Sequence, residues 1–351
     1  MRHFSKILSL VLVVLICLTV ICVGSYSAFA DTSFDEGDYR FTLTSDTTVM
    51  VSKYYGSDTE LTLPDFAGGR LVTGIYQRCF ENSNVKTIII PRAYTTIGAF
   101  AFSGCSNLET VKIPSGLKSI GVMAFYGCES LKNIDLQTAE NLNTISFAAF
   151  SGCSSLESVV IPDTVYNLGE NAFVDCVSLS DITLSSSLTN IPEYAFYNCG
   201  LSSVELPQNL ESIGECAFYN NTTLKSVFIP ESVTSIGSDA FAPMCESGDI
   251  DIVCYKGSYA AEYGIENELD RLVIIDSYIG DANRDDIVSI SDVTAIQQYL
   301  VGMIDNSEID FGAADVDGDG VLTIYDATYI QRFIARLDDP CYISRSKSAC
   351  S

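Results

Sequence analysis

Apolar residues return along this chain with a period close to 23 residues. The unit reads as an apolar residue, usually Gly, two variable residues, then Ala-Phe. It recurs as Ile97-Gly98…Ala101-Phe102, Ile120-Gly121…Ala124-Phe125, Ile145-Ser146…Ala149-Phe150, Leu168-Gly169…Ala172-Phe173, Ile191-Pro192…Ala195-Phe196, Ile213-Gly214…Ala217-Phe218 and Ile236-Gly237…Ala240-Phe241. A degenerate earlier copy ends in Cys79-Phe80, and the eight Phe positions are spaced by 22, 23, 25, 23, 23, 22 and 23 residues. Between them lies Leu-x-x-Val-x-Ile-Pro, as in Leu108 to Pro114, Leu156 to Pro162 and Leu224 to Pro230. Val and Ile two apart face one side of a strand, and Pro ends it for want of a ladder donor. Each repeat is therefore expected to hold one short strand, a turn and a compact return segment carrying Ala-Phe. Such a unit cannot bury its apolar face alone, so the repeats must stack on one continuous core.

Cysteine follows the same period. Cys105, Cys128, Cys153, Cys176 and Cys199 each fall three residues after the repeat's Phe. The spacing predicts a ladder of buried, small apolar thiols, since stacking puts equivalent atoms one repeat apart; metal thiolates or disulfides are the alternative. Of 13 Cys, Cys17 and Cys22 lie in the N-terminal apolar run, which leaves an odd number beyond it. Cys341 and Cys350 could bridge, and the state of Cys245 and Cys254 stays open. On the strands, Lys86, Glu109, Lys132 and Glu157 alternate in sign on successive rungs. Cross-strand ion pairing is expected there, at about 0.2–1 kcal/mol per pair, against the alternative of a binding surface. Tyr126, Tyr197 and Tyr219 form a partial row on another face.

Past Asp281 the pattern changes to two copies of a metal loop 34 residues apart. In the first, Asp281, Asn283, Asp285, Ser289 and Asp292 occupy loop positions 1, 3, 5, 9 and 12; in the second, Asp315, Asp317, Asp319, Thr323 and Asp326 do. Calcium takes six to eight hard oxygen ligands, and this spacing wraps one ion using also the position-7 carbonyl, of Ile287 or Val321. Val288 and Leu322 are placed to pair the loops, and each loop leads into an apolar helix, Val293 to Val301 and Ala327 to Leu337. Two bound calcium ions are expected rather than solvated acidic turns. Loop two, with four ligand carboxylates against three, should bind more tightly.

Composition narrows the chemistry. The 351 residues carry 45 Asp plus Glu against 19 Lys plus Arg, a formal charge of −26. Such a chain repels nucleic acid and anionic membranes. Residues 277–340 hold 13 acidic against 3 basic residues. The one histidine, His3, sits in a basic start followed by an apolar run from Ile7 to Val23 and an Ala28-Phe29-Ala30 site, the pattern of a cleavable signal peptide. A mature chain from Asp31 has no imidazole, which excludes histidine-dependent catalysis and His-ligated zinc. Secretion is expected, with no membrane insertion after cleavage. Length suggests about two domains.

Residues 39–275 resemble the BspA-like leucine-rich repeats of bacterial surface proteins, including an opening Tyr39-Arg-Phe-Thr and a closing Tyr255 to Tyr263. The resemblance implies a β-rich solenoid with a ligand it does not name. Residues 278–338 are similar to a type I dockerin, with Gln297-Gln298-Tyr299-Leu300 matched by Gln331-Arg332-Phe333-Ile334. That resemblance implies a small α-helical module with two EF-hand-like calcium loops, and a cohesin module of a cellulosomal scaffoldin as partner. Cohesin contacts carry over to Ile290, Ser291, Gln297 and Gln298, and to Ile324, Tyr325, Gln331 and Arg332. Asp286 departs from the family's Gly at loop position 6, and the pairs Ile290-Ser291 and Ile324-Tyr325 differ, so the two halves need not bind equally. The expected organisation is 1–30 signal peptide, 31–276 solenoid of about eight repeats, 277–340 dockerin and 341–351 tail. The expected function is a secreted, non-catalytic binding protein held on a bacterial scaffold or cell surface. A cellulosomal glycoside hydrolase with paired carboxylates, serving polysaccharide catabolism, and a host or cell-surface adhesin are the alternatives.

Overall fold

The computed structural model describes residues 33–242, 250–267, 271–275, 280–283, 288–305, 307–316 and 320–334. Most repeats contribute two short strands rather than the one expected. The Leu-x-x-Val-x-Ile signature gives Thr87–Ile89, Thr110–Lys112, Asn133–Ile134, Ser158–Val160 and Asp181–Thr183, which pair in parallel. The residues just before the repeat's Gly form a second parallel ladder, Thr96–Ile97, Ser119–Ile120, Thr144–Ile145 and Asn167–Leu168, in which Ile97, Ile120, Ile145 and Leu168 stand in register. Two residues are too few to show alternation, so only stacking reveals these strands. The ladder's N-terminal end is closed by the antiparallel strands Ser33–Glu36 and Tyr39–Leu43 folded onto Thr48–Tyr54. Towards the other end, Asp251–Tyr255 pairs with Ser226–Ile229 and Leu272–Ile275 around helix α1, Tyr259–Glu266, whose first turn is capped by the Ser258 side chain.

The core is a column of aromatic rings. Phe80, Phe102, Phe125, Phe150, Phe173, Phe196, Phe218 and Phe241 stack with centroids 5.1–5.5 Å apart and planes within 16°. Each such contact adds about 0.5–1.5 kcal/mol to what burial supplies. Holding this column requires left-handed backbone two residues before each Phe, where no glycine stands: Arg78, Phe100, Met123, Ala148, Asn171, Tyr194, Cys216 and Asp239 have φ of 50–60°. The strain persists because the stack over-determines it; Phe100 N donates to Val122 O at 2.8 Å, and Met123 N to Phe147 O at 2.9 Å. The repeat's glycine answers a different demand. A Cβ on Gly169 would stand 2.3 Å from Phe147 N.

The cysteine column is buried as expected, but its thiols also carry hydrogen bonds. Cys105, Cys128, Cys153, Cys176 and Cys199 Sγ donate to the carbonyls of Phe80, Phe102, Phe125, Phe150 and Phe173, one repeat earlier, at 2.9–3.2 Å. The eight cysteines among the described residues are free thiols. Burial pushes the thiols of Cys79, Cys105, Cys176 and Cys199 above the ordinary cysteine range. Cys245, Cys341 and Cys350 lie outside the described residues.

The expected ion pairs are not formed. Among the described residues Arg40–Asp35, Arg78–Glu81 and Arg271–Asp251 approach within 4.0 Å, and none of Lys86, Glu109, Lys132 and Glu157 pairs with a neighbour. Exposed pairs gain too little to offset side-chain entropy, and the backbone already joins these rungs, Glu109 N to Lys86 O at 2.8 Å and Glu157 N to Lys132 O at 2.9 Å.

A second, separate core holds the C-terminal module, built from Ala282, Val293, Ile296, Ile309, Ala314, Val316, Leu322, Ala327 and Ile330. Its helices are α2, Ile290–Leu300, the short α3, Phe311–Ala314, and α4, Ile324–Ile334. Helices α2 and α4 start three residues before the apolar runs that predicted them, because Ser289 and Thr323 hydroxyls accept from Ser291 N and Tyr325 N and fix a first turn that opens on two exposed residues. Residues 335–337 of the expected second helix lie outside the described residues.

Candidate functional site

The two loops are each closed by the carboxylate at loop position 12. Asp292, three residues into its helix segment from the Ser289 cap, accepts from Ser289 N at 2.7 Å through Oδ2 and from Asn283 N at 3.1 Å through Oδ1, which closes a capping box. Asp326 likewise accepts from Thr323 N at 2.8 Å through Oδ2 and from Val316 N at 3.0 Å through Oδ1, the latter one loop position earlier than Asn283 in the first loop. Each carboxylate thus ties the start of its loop to the end. The helices match further on: Thr294 Oγ1 donates to Ile290 O at 2.9 Å and Thr328 Oγ1 to Ile324 O at 2.8 Å, one loop repeat apart.

These residues suit a hard cation. Asp281 is 1% exposed and Asp292 and Asp326 are 0%. A buried carboxylate is costly unless its charge is compensated, and backbone N–H groups supply only part of that. Oxygen donors without soft ligands select calcium or magnesium, and the loop spacing with several carboxylates favours calcium. Asn283 and Asp315 are half-buried beside them, and Gly320, in left-handed backbone at φ 84°, donates its N–H to Asp315 Oδ2 at 2.8 Å. Ser289 and Thr323, at loop position 9, accept helix-capping hydrogen bonds through their hydroxyls. The expected ligands Asp285, Ile287, Asp317 and Asp319, and Asp286, lie outside the described residues.

The residues expected to meet a partner are brought to the surface of the two helices. Ile290 is 60% exposed and Tyr325 69%; Ile324, Ser291, Gln297, Gln331 and Arg332 are exposed and Gln298 is half-buried. Exposed Ile and Tyr at a first turn leave apolar area that a partner surface can cover.

Two modules are defined by this architecture: a parallel-stranded repeat solenoid and a paired-loop helical domain. The sequence matches the BspA type leucine-rich repeat region in six copies, over residues 73–173 and 143–255, and the chain belongs to that family. Residues 279–335 match the dockerin type I domain. Both matched modules are non-catalytic, and dockerin type I domains bind calcium. Among solved structures, a leucine rich cell surface protein from Faecalibacterium prausnitzii is 24% identical, with 71% of this chain and 79% of that chain covered at a TM-score of 0.52. A leucine-rich repeat protein from Bacteroides ovatus is 26% identical, with 70% and 67% covered and a TM-score of 0.53. No curated protein matches the chain. No helix of the described residues is long and apolar enough to cross a membrane.

Proposed function

We propose that this is a secreted, non-catalytic binding protein that attaches to a scaffoldin by calcium-dependent docking of residues 277–340 to a cohesin, while the solenoid of residues 31–276 recognises a further partner. The observation that carries this is the doubled stitch of Asp292 and Asp326, which gives two equivalent buried carboxylate loops, each opening into a helix with exposed apolar residues. Bound calcium would neutralise Asp281, Asp292, Asp315 and Asp326, and the chain itself orients Ile290, Ser291, Gln297 and Gln298, or Ile324, Tyr325, Gln331 and Arg332, for contact. A pull-down on a panel of cohesin modules, with and without chelator, tests the reading. Capture that disappears with chelator supports it, and no calcium-dependent capture by any cohesin sinks it.

A further inference from the structure

The strand ladder of the Leu-x-x-Val-x-Ile signature is interrupted once among the described residues. Parallel pairing stops at Asp181–Thr183 and resumes at Ser226–Ile229, and the rung between, Leu201 to Leu206, forms no strand. That rung is one residue short: four repeats read Cys-x-x-Leu, but here Cys199-Gly200-Leu201 leaves a single residue between. A groove of about 660 Å³ opens at this rung, within the range of natural ligand sites.

Its walls have a consistent chemistry. Ile182, Leu184, Val204 and Leu206 form the floor at 6–8% exposure. Asp163, Asp181 and Glu205 form an exposed rim with no basic residue among the lining side chains. Asp163 Oδ1 accepts from both the N–H and the hydroxyl of Ser186 at 2.8 Å, which holds the carboxyl below its usual range and fixes its position. The charge around the groove is equally one-sided. Residues 133–224 contain eleven Asp and Glu and no Lys or Arg, while residues 33–132 contain ten acidic and nine basic. A block with no Lys or Arg of its own raises the local concentration of cations and steers them in.

An apolar floor beneath a carboxylate rim fits a side chain with an aliphatic stem and a cationic head. No aromatic side chain lines the groove for a sugar ring to stack on, and no group of three or more acidic, His or Cys side chains among the described residues is placed to hold a metal ion. We propose that this groove is the docking site for lysine or arginine side chains of an extended basic segment of a partner polypeptide. This rests on the reading of the solenoid as the recognition module and names the partner's chemistry.

The test is fluorescence anisotropy of labelled deca-L-lysine against the full chain in saturating calcium. Saturable binding is expected, weakened at least tenfold by the combined Asp163→Asn, Asp181→Asn and Glu205→Gln exchange. The combined Asp46→Asn, Asp58→Asn and Glu60→Gln exchange, which removes the same charge at other exposed positions, should weaken it less than twofold; far-UV circular dichroism checks that both variants stay folded. No saturable binding, or equal weakening in both variants, overturns the proposal. A glucosamine hexamer that binds more tightly than deca-lysine and depends on the same three carboxylates overturns the assignment to a polypeptide. Cohesin capture measured on the same samples separates the two readings, since retained capture without deca-lysine binding refutes the groove alone.

Discussion

Removing the Asn221 carboxamide should weaken the solenoid more than any single thiol change. Asn221 is buried at the position three residues after Phe218 that earlier repeats give to cysteine. Its Nδ2 donates to Phe196 O at 2.8 Å, as a thiol would, and also to Phe218 O at 2.9 Å, while its Oδ1 accepts from Leu201 N at 3.3 Å. That last bond answers the shortened rung. In full-length repeats the Leu N–H donates to the Cys carbonyl, as Leu108 N does to Cys105 O at 3.0 Å, and Leu201 turns instead to the next repeat. Asn221→Ala strips the side-chain partner from two carbonyls and one N–H in a buried site. At about 1–3 kcal/mol for each group left unsatisfied, with some relaxation, the loss is about 3–5 kcal/mol, a large share of the roughly 5–15 kcal/mol that holds a domain. Asn221→Cys restores the bond to Phe196 O alone and should recover about 1–2 kcal/mol. Urea unfolding followed by tyrosine near-UV circular dichroism gives the free energies, and hydrogen exchange at Leu201 reports the local opening. An alanine variant within about 0.5 kcal/mol of the parent, or a cysteine variant no better than alanine, would refute the reasoning.

Other consequences are checked more briefly. Chelator should melt α2 and α4 while leaving the strand signal of the solenoid, because the cores are separate and, among the described residues, the buried carboxylates lie in the loops; joint loss of both signals in far-UV circular dichroism would contradict this. Calorimetry on Asp281→Ala and Asp315→Ala should show the larger affinity loss in the second loop, and equal losses would count against its tighter binding. Gly169→Ala should destabilise by about 1–3 kcal/mol, since its Cβ would press on backbone at Phe147 rather than on a mobile side chain; a thermal melt unchanged from the parent would exclude that packing. Burial raises the thiols of Cys105, Cys176 and Cys199 in the folded state, so they favour folding fully below the unfolded cysteine value of 9.0 and lose that contribution as pH rises above it. Unfolding free energies from urea titrations should therefore be level between pH 7 and 8 and fall beyond pH 9, by roughly 1.4 kcal/mol per such thiol per pH unit, and Cys105, Cys176 and Cys199 should resist thiol labelling in the native protein at pH 8.

Much of this molecule is local and periodic, and that part was legible in the residues. A Phe every 22–25 positions can be buried only by stacking on its own copies, so the solenoid, its Phe column and its cysteine column follow from spacing alone. The paired loops were equally plain, because the oxygen-bearing positions recur at one spacing in both copies, and Asp281, Asp292 and Asp326 are buried. What depended on neighbouring repeats could not be read along one strand. The second ladder of two-residue strands exists only through register with the next rung. The thiol bonds join residues about 26 positions apart, and the Asn221 repair of the short rung joins residues 20 apart. Charge alternation at Lys86 and Glu109 suggested pairs that exposed side chains do not hold. The absence of Lys and Arg from residues 133–224 was visible in composition, but only the missing strand at Leu201 to Leu206 turns it into a groove. Sequence determined the unit and its chemistry here; the contacts between units, where the chain's hydrogen bonds are made or left unmade, were decided by tertiary structure.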